Sequence, residues 1–199
     1  MNVTQAAAKA LDPVPLFRVW LAEAEAGEPN DPNAVALATA TPGGVPSVRM
    51  VLLKGLDERG FAFYTNSESR KGLELAANPR AAMCFHWKSL RRQVRVEGAV
   101  TELPAAEADA YFHSRSRGSQ LGAAVSRQSS ELESREVLEE MVKEYAARHE
   151  AGIPRPERWN GYVLRPERME FWINGSDRLH DRFLFVRGEN GWKKSRLFP

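Results

Sequence analysis

The chain has 199 residues, 43% apolar and 27% charged, the balance of an ordinary soluble globular domain. Its 28 Lys and Arg against 26 Asp and Glu leave a net charge of +2, too small a basic excess for a general nucleic-acid binder. A single cysteine, Cys84, excludes an internal disulfide and a cysteine-built zinc site. No uncharged apolar stretch approaches the roughly 18 residues of a membrane span. The long uncharged run that ends at Val48 is broken by Pro42, Gly43, Gly44 and Pro46.

In chain order, residues 1–11 read as a flexible tail without the apolar region of a secretory signal, so the expected location is cytoplasmic. Residues 12–199 read as one domain. Asp12-Pro13 is an N-cap with Pro at the first helical position, and Phe17, Trp20, Leu21 and Ala24 follow at helical spacing up to Gly27. The period then shortens. Strands are expected over Ala34–Thr41, Val45–Lys54 and Phe61–Thr65, and a short helix over Ser67–Ala77. Two more strands, Ala81–Trp87 and Gln93–Leu103, precede a helix over Pro104–His113. Ser114–Ser129 is rich in Ser, Arg, Gln and Gly, a composition compatible with disorder or with an ordered anion site. A longer helix is expected from Ser130, as its cap, to His149. Strands at Gly161–Leu164, Met169–Ile173 and Arg182–Val186, with a hairpin through Gly188–Gly191 to Trp192, close the chain. Short connections between about eight strands predict an antiparallel meander closing into a barrel, with three or four helices.

Several chemistries lack their parts. No glycine-rich phosphate loop, Gly-x-Ser-x-Gly elbow or His-Glu-x-x-His pair occurs, and the four histidines are scattered. What recurs is cations beside hydroxyls, amides and aromatic rings. Arg49 and Lys54 bracket Met50-Val51-Leu52-Leu53; five residues apart in one strand, they should face opposite sides unless a bulge intervenes. Tyr64-Thr65 leads through Asn66 and three further polar residues to Arg70-Lys71 at a helix start, where hydroxyls, backbone N–H groups and two cations suit a phosphate. Gln93 follows two arginines. Tyr111, Arg115 and Ser119 read equally as a second phosphate cradle or as a polar loop; Gln128-Ser129 is similar. Trp172 ends an aromatic strand, and Arg178, His180 and Arg182 would share one side if their segment is extended. Together these point to two anionic groups bound near aromatic surface.

Nine short segments in order give the chain a resemblance to the pyridoxamine 5′-phosphate oxidase family. They are Arg49 to Lys54, Phe63 to Ser67, Ser69 to Lys71, Arg92 to Val96, Tyr111 to Arg115, Ser126 to Ser130, Glu170 to Trp172, Arg178 to Arg182, and Arg196 to Pro199. The resemblance implies an α+β, mainly β fold, an FMN-binding split β-barrel with peripheral helices, working as a homodimer whose FMN sites draw on both chains. It implies FMN contacts from Arg49, Met50, Val51, Leu52, Leu53, Lys54, Tyr64, Thr65, Arg70, Lys71, Gln93, Gln128, Ser129, Trp172 and Arg182. It implies that Lys54, Tyr111, Arg115 and Ser119 hold a substrate phosphate, while Arg178, Leu179 and His180 lie over the substrate ring, Arg178 and His180 orienting it. The implied reaction oxidises the 5′-phosphates of pyridoxamine and pyridoxine to pyridoxal 5′-phosphate, with molecular oxygen as acceptor and hydrogen peroxide as product. No metal, nucleic acid or membrane is implied. The chain departs from the family pattern in lacking an Arg- and Tyr-bearing N-terminal segment, and at Ser116, Ala124 and Phe198. Two alternatives are a related oxidase of the phenazine-biosynthesis type and a flavin- or haem-binding split-barrel module without turnover.

Overall fold

The computed structural model describes residues 3–199. Asp12 caps the helix α2 (Pro13–Gly27) as expected, its carboxylate accepting from the Val14 N–H at 2.8 Å. Leu16, Phe17, Trp20 and Ala24 bury one stripe of that helix. Phe17 meets Phe61 and Phe85 edge-on, each at 4.9 Å between centroids, and Trp20 meets Phe171 in the same way at 5.0 Å. Burying each such ring is worth about 1.5–3 kcal/mol, so α2 is fixed on the inner face of the sheet.

That sheet has nine antiparallel strands: β1 (Ala34–Ala40), β2 (Pro46–Leu52), β3 (Gly55–Leu56), β4 (Phe61–Asn66), β5 (Arg80–Trp87), β6 (Arg92–Glu102), β7 (Trp159–Ile173), β8 (Asp181–Gly188) and β9 (Gly191–Leu197). The main path runs β2-β1-β5-β6-β7-β4-β3, and β8 and β9 branch from β7. Two strands were expected over 161–173, but β7 is continuous for 15 residues. One edge pairs with β6. The other is shared, residues 159–164 pairing with β4 and 168–173 with β8. The barrel therefore opens at β7. The change of partner coincides with Pro166, which has no N–H to donate, and with a β-bulge at Glu97/Gly98 opposite it. A Cβ on Gly98 would collide with the Arg165 carbonyl oxygen.

Several expectations need correction or completion. The part of the tail that is described, from Val3, starts with a helix α1 (Val3–Lys9); residues 1–2 lie outside the described residues. Ala7 packs into the core, and the Lys194 Nζ donates to the Ala8 and Ala10 carbonyls at 2.5 and 2.8 Å, so the tail is docked rather than loose. The polar stretch 114–129, open above between disorder and order, is ordered, and it holds a helix that was not expected: α4 (Ala105–Ser114) is followed directly by α5 (Arg117–Val125), whose Leu121, Ala124 and Val125 are buried at i, i+3, i+4 spacing. The long helix α6 (Arg135–Arg148) starts later than expected, capped by Ser134 and not Ser130, because Ser130 closes a turn onto the Arg127 carbonyl. Finally, Arg178 is not in an extended segment. Ser176–Arg178 is a single 3₁₀ turn with Asp177 and Arg178 at φ 53° and 63°, and Gly175 approaches the Leu179 carbonyl too closely for any Cβ. The helix α3 (Arg70–Ala77) begins three residues after the expected Ser67, capped by Ser69.

Candidate active site

Four segments meet around one open cavity of about 890 Å³, within the range of small-molecule sites. The edge strand β2 supplies one wall. Its alternation leaves Ser47, Arg49 and Val51 half-buried and Val48, Met50 and Leu52 exposed, and all six line the cavity. The strand ends at Leu52, so the alternation does not run on to Lys54, and Lys54 lines the same cavity as Arg49. Leu53 is the exception in this run: it packs into the core.

The corner from β4 into α3 brings Tyr64, Thr65, Arg70 and Lys71 to the cavity. The turn after α5 folds onto this corner. Ser129, held at φ 75°, accepts from the Arg70 N–H at 3.2 Å, and the Gln128 Oε1 accepts from Lys71 Nζ at 3.0 Å and from Thr65 Oγ1 at 3.2 Å. Lys71 is only 6% exposed. Its other Nζ partners are the Thr65 and Ser69 hydroxyls at 3.1 and 3.2 Å, so it is a buried cation surrounded by neutral acceptors. Burial, with Arg49 adding repulsion, pushes its pKa down to about 8.

A second cationic group comes from α4 and α5. Tyr111, Arg115, Ser116 and Ser119 line the cavity with Trp159. Tyr64 stacks on Tyr111 at 4.1 Å and on Trp159 at 5.3 Å. The Arg115 guanidinium lies over Trp159 at 4.9 Å. Its Nη1 is buried and has no hydrogen-bond partner among the described residues, and burial lowers its pKa. An orphaned guanidinium N–H beside two hydroxyls is the donor set an anionic oxygen would satisfy.

The remaining expected residues form a separate cluster at the far end of β6, β7 and β8. Gln93 pairs with Trp172, which pairs with Arg182. His180 lies 4.6 Å from the Trp172 ring, and its Nδ1 accepts from the Gly175 N–H at 3.2 Å. Arg182 donates to Glu170 through Nε at 2.8 Å and Nη2 at 3.1 Å. Arg178 and Leu179 are exposed beside them. None of these six lines the cavity within the single chain.

Sequence reasoning missed Thr39, Ser47, Glu74 and Trp159. Ser47 is two residues before Arg49 on the same strand face, and Glu74 is one helical turn after Arg70; both spacings were available as signals. Thr39 is reached only through strand pairing, opposite Ser47.

The family profile described as pyridoxamine 5′-phosphate oxidase matches residues 21–172, and that of the pyridoxine 5′-phosphate oxidase C-terminal dimerisation region matches residues 159–199. The chain is 59% identical over 189 residues to the pyridoxine/pyridoxamine 5′-phosphate oxidase of Gluconobacter oxydans, covering 94% of both proteins. It is 59% identical over 190 residues to that of Brucella anthropi, with the same coverage. Among solved structures, PhzG from Burkholderia lata 383 in complex with tetrahydrophenazine-1-carboxylic acid superimposes with a TM-score of 0.91 at 38% identity, covering 96% of this chain and 94% of that one. A pyridoxamine 5′-phosphate oxidase-related, FMN-binding protein from Nostoc punctiforme shares the fold, with a TM-score of 0.75 at 17% identity over 96% of this chain and 100% of that one. The split sheet, the two cationic groups and matches that together span residues 21–199 agree: the chain belongs to the pyridoxamine 5′-phosphate oxidase family.

Proposed function

We propose that the protein oxidises pyridoxamine 5′-phosphate and pyridoxine 5′-phosphate to pyridoxal 5′-phosphate, with FMN as its cofactor and molecular oxygen as electron acceptor, releasing hydrogen peroxide in cytoplasmic vitamin B6 synthesis and salvage. The observation that carries this reading is one cavity that brings together Arg49, Arg70 and Lys71 with Arg115, from the separate α4–α5 segment, and with Lys54. A cofactor phosphate and a substrate phosphate need such a pair.

The residues fit FMN on charge. Arg49, Arg70 and Lys71 carry three positive charges, and among the described residues Glu74 is the one carboxylate paired with them. The group is left with an excess of two positive charges, matching a phosphate monoester of about −1.5 to −2. The exposed apolar row of Val48, Met50 and Leu52 on β2 offers surface to a flat ring. FMN, when bound, supplies the two-electron acceptor for hydride from the substrate 4′ carbon. The protein's work is binding and orientation. Arg115, Tyr111, Ser119 and Lys54 hold the substrate phosphate. Arg178 and His180, with Leu179, orient the pyridine ring.

Those three residues, with Gln93, Trp172 and Arg182, lie outside the cavity of their own chain. We place them at the cavity of a second chain, so that each FMN site of the homodimer draws on both subunits. The matched C-terminal dimerisation region, residues 159–199, contains five of the six.

The test is direct. Purified protein loaded with FMN and mixed with pyridoxine 5′-phosphate in air should form pyridoxal 5′-phosphate and hydrogen peroxide in equal amounts. Protein that holds FMN but leaves this substrate unchanged while oxidising a phenazine precursor would replace the reading with the phenazine-type oxidase. Arg115→Ala should weaken substrate binding about 10- to 150-fold, the loss of one charge-assisted contact. The loss should appear for the phosphorylated substrate in an equilibrium titration and leave FMN affinity unchanged. Unaltered substrate affinity would remove Arg115 from the phosphate site.

A further inference from the structure

The floor beneath the Arg49 and Arg70 guanidinium groups is a buried carboxylate. Glu74 is 5% exposed. Its Oε1 accepts from Arg70 Nε at 2.9 Å, one helical turn away. Its Oε2 accepts from the Thr39 and Ser47 hydroxyls, both at 2.5 Å. Thr39 and Ser47 face each other across the β1–β2 ladder, so their side chains emerge together. Each hydroxyl also accepts from Arg49, Thr39 from Nη1 at 2.6 Å and Ser47 from Nη2. A hydroxyl that accepts from a guanidinium has its own proton free for the carboxylate. Two relays therefore run from Arg49 through a hydroxyl to Glu74, and a direct bond runs from Arg70. The Leu37 carbonyl completes the hold on Arg49, accepting from Nη1 at 3.1 Å.

We propose that Glu74 is the positioning residue of the cofactor-phosphate cradle, holding Arg49 through two hydroxyl relays and Arg70 directly in the orientation that receives the anion. The proposal rests on the FMN reading above. Burial opposes the charged form of Glu74, but the hydrogen bonds from Ser47, Thr39 and Arg70 outweigh it and bring its pKa down to about 2. It is therefore an anion throughout the physiological range, placed beneath a site that binds another anion.

That placement gives the test a sign. By simple Coulomb repulsion, removing the Glu74 charge should tighten binding of a phosphate. If Glu74 positions the arginines, removing its charge should loosen it. The experiment titrates apoprotein with FMN and, in parallel, with riboflavin, which lacks the phosphate, and follows flavin fluorescence without turnover. Glu74→Gln should weaken FMN binding about tenfold or more, the scale of a disrupted charge-assisted contact, and leave riboflavin binding unchanged. Ser47→Ala, at a half-buried position on the edge strand, removes one relay and should cause a smaller loss, again confined to FMN; it decides the matter if Glu74→Gln does not fold. FMN affinity that is unchanged or tighter in the folded variants overturns the proposal. So does an equal loss for both flavins, the mark of a merely structural role. Wild-type protein that binds FMN no better than riboflavin would instead overturn the cofactor reading itself, and the proposal with it.

Discussion

Two double variants expected to be inactive, Lys54→Ala/Arg115→Ala and Arg178→Ala/His180→Ala, should recover about a quarter of wild-type turnover when their chains are mixed into dimers at equal ratio. Each double variant alone loses two polar contacts with the substrate, at least one of them from a cation, and should keep about a hundredth or less of kcat/KM. The first pair lines the cavity of its own chain, and the second lies at the end of β7, away from it. If each site combines the cavity of one chain with the 178–180 turn of the other, a mixed dimer has one site that is wild type throughout and one that carries all four substitutions. Random pairing makes about half the dimers mixed, so about a quarter of all sites are intact. Arg178 is exposed and His180 only half-buried, so their loss leaves the fold in place. Chains carrying two different affinity tags allow the mixed species to be isolated and assayed. Mixed dimers no more active than their parents would show that each site is built within one chain.

FMN affinity should decline above pH 8, by up to about tenfold per pH unit, and Lys71→Met should abolish that slope. Lys71 is the cradle's buried cation, with Thr65, Ser69 and Gln128 as neutral partners and Arg49 as a repelling charge. Burial and Arg49 hold its pKa at about 8 without an anion beside it. A bound phosphate dianion favours the protonated amine and raises that pKa. Below pH 8 the proton is already present and affinity is flat. Above it, binding must take up a proton, and affinity falls. The variant has no charge to lose; it should bind FMN about 10- to 150-fold more weakly at pH 7, with no decline between pH 8 and 9.5. Folding responds in the opposite sense. The folded pKa of about 8 lies below the ordinary 10.5, so the unfolded chain binds the extra proton between them and this group's contribution to stability rises with pH across that window. Titrations of apoprotein at several pH values and melts without FMN would separate the two trends. A wild-type affinity independent of pH from 7 to 9.5 would take Lys71 out of contact with the phosphate.

The strands were legible because their alternation and turn residues are local signals. β1, β2 and β4 to β6 fall where the period-2 pattern and the Gly- and Pro-rich turns put them. α5 was not legible because Arg117, Gly118, Ser119 and Gln120 dilute its apolar face to Leu121, Ala124 and Val125, and that face is fixed by a second cluster around Phe112 and Trp159. The continuity of β7 through Pro166 depends on a bulge in a strand more than 60 residues earlier, which no local pattern encodes. The same division holds in the site. Arg49, Arg70, Lys71 and Arg115 stood out as cations beside hydroxyls. Glu74 did not, because a carboxylate at i+4 from an arginine is an ordinary solvated helix pair until Thr39 and Ser47 are brought over it by β1 and β2. The condition for Arg178, His180 and Arg182 to share one side, an extended segment, is met only from Asp181 on; Arg178 sits in a turn, next to which Gly175 meets backbone.

The shared two-phosphate site can be seen in a crystal structure of the protein grown with FMN and a substrate phosphate ester. The FMN phosphate should lie among Arg49, Arg70 and Lys71, the ester phosphate on Arg115 and Ser119 of the same cavity, and His180 of the partner subunit over the substrate ring. A cavity in which Arg49, Arg70 and Lys71 contact only solvent while FMN lies elsewhere would contradict it.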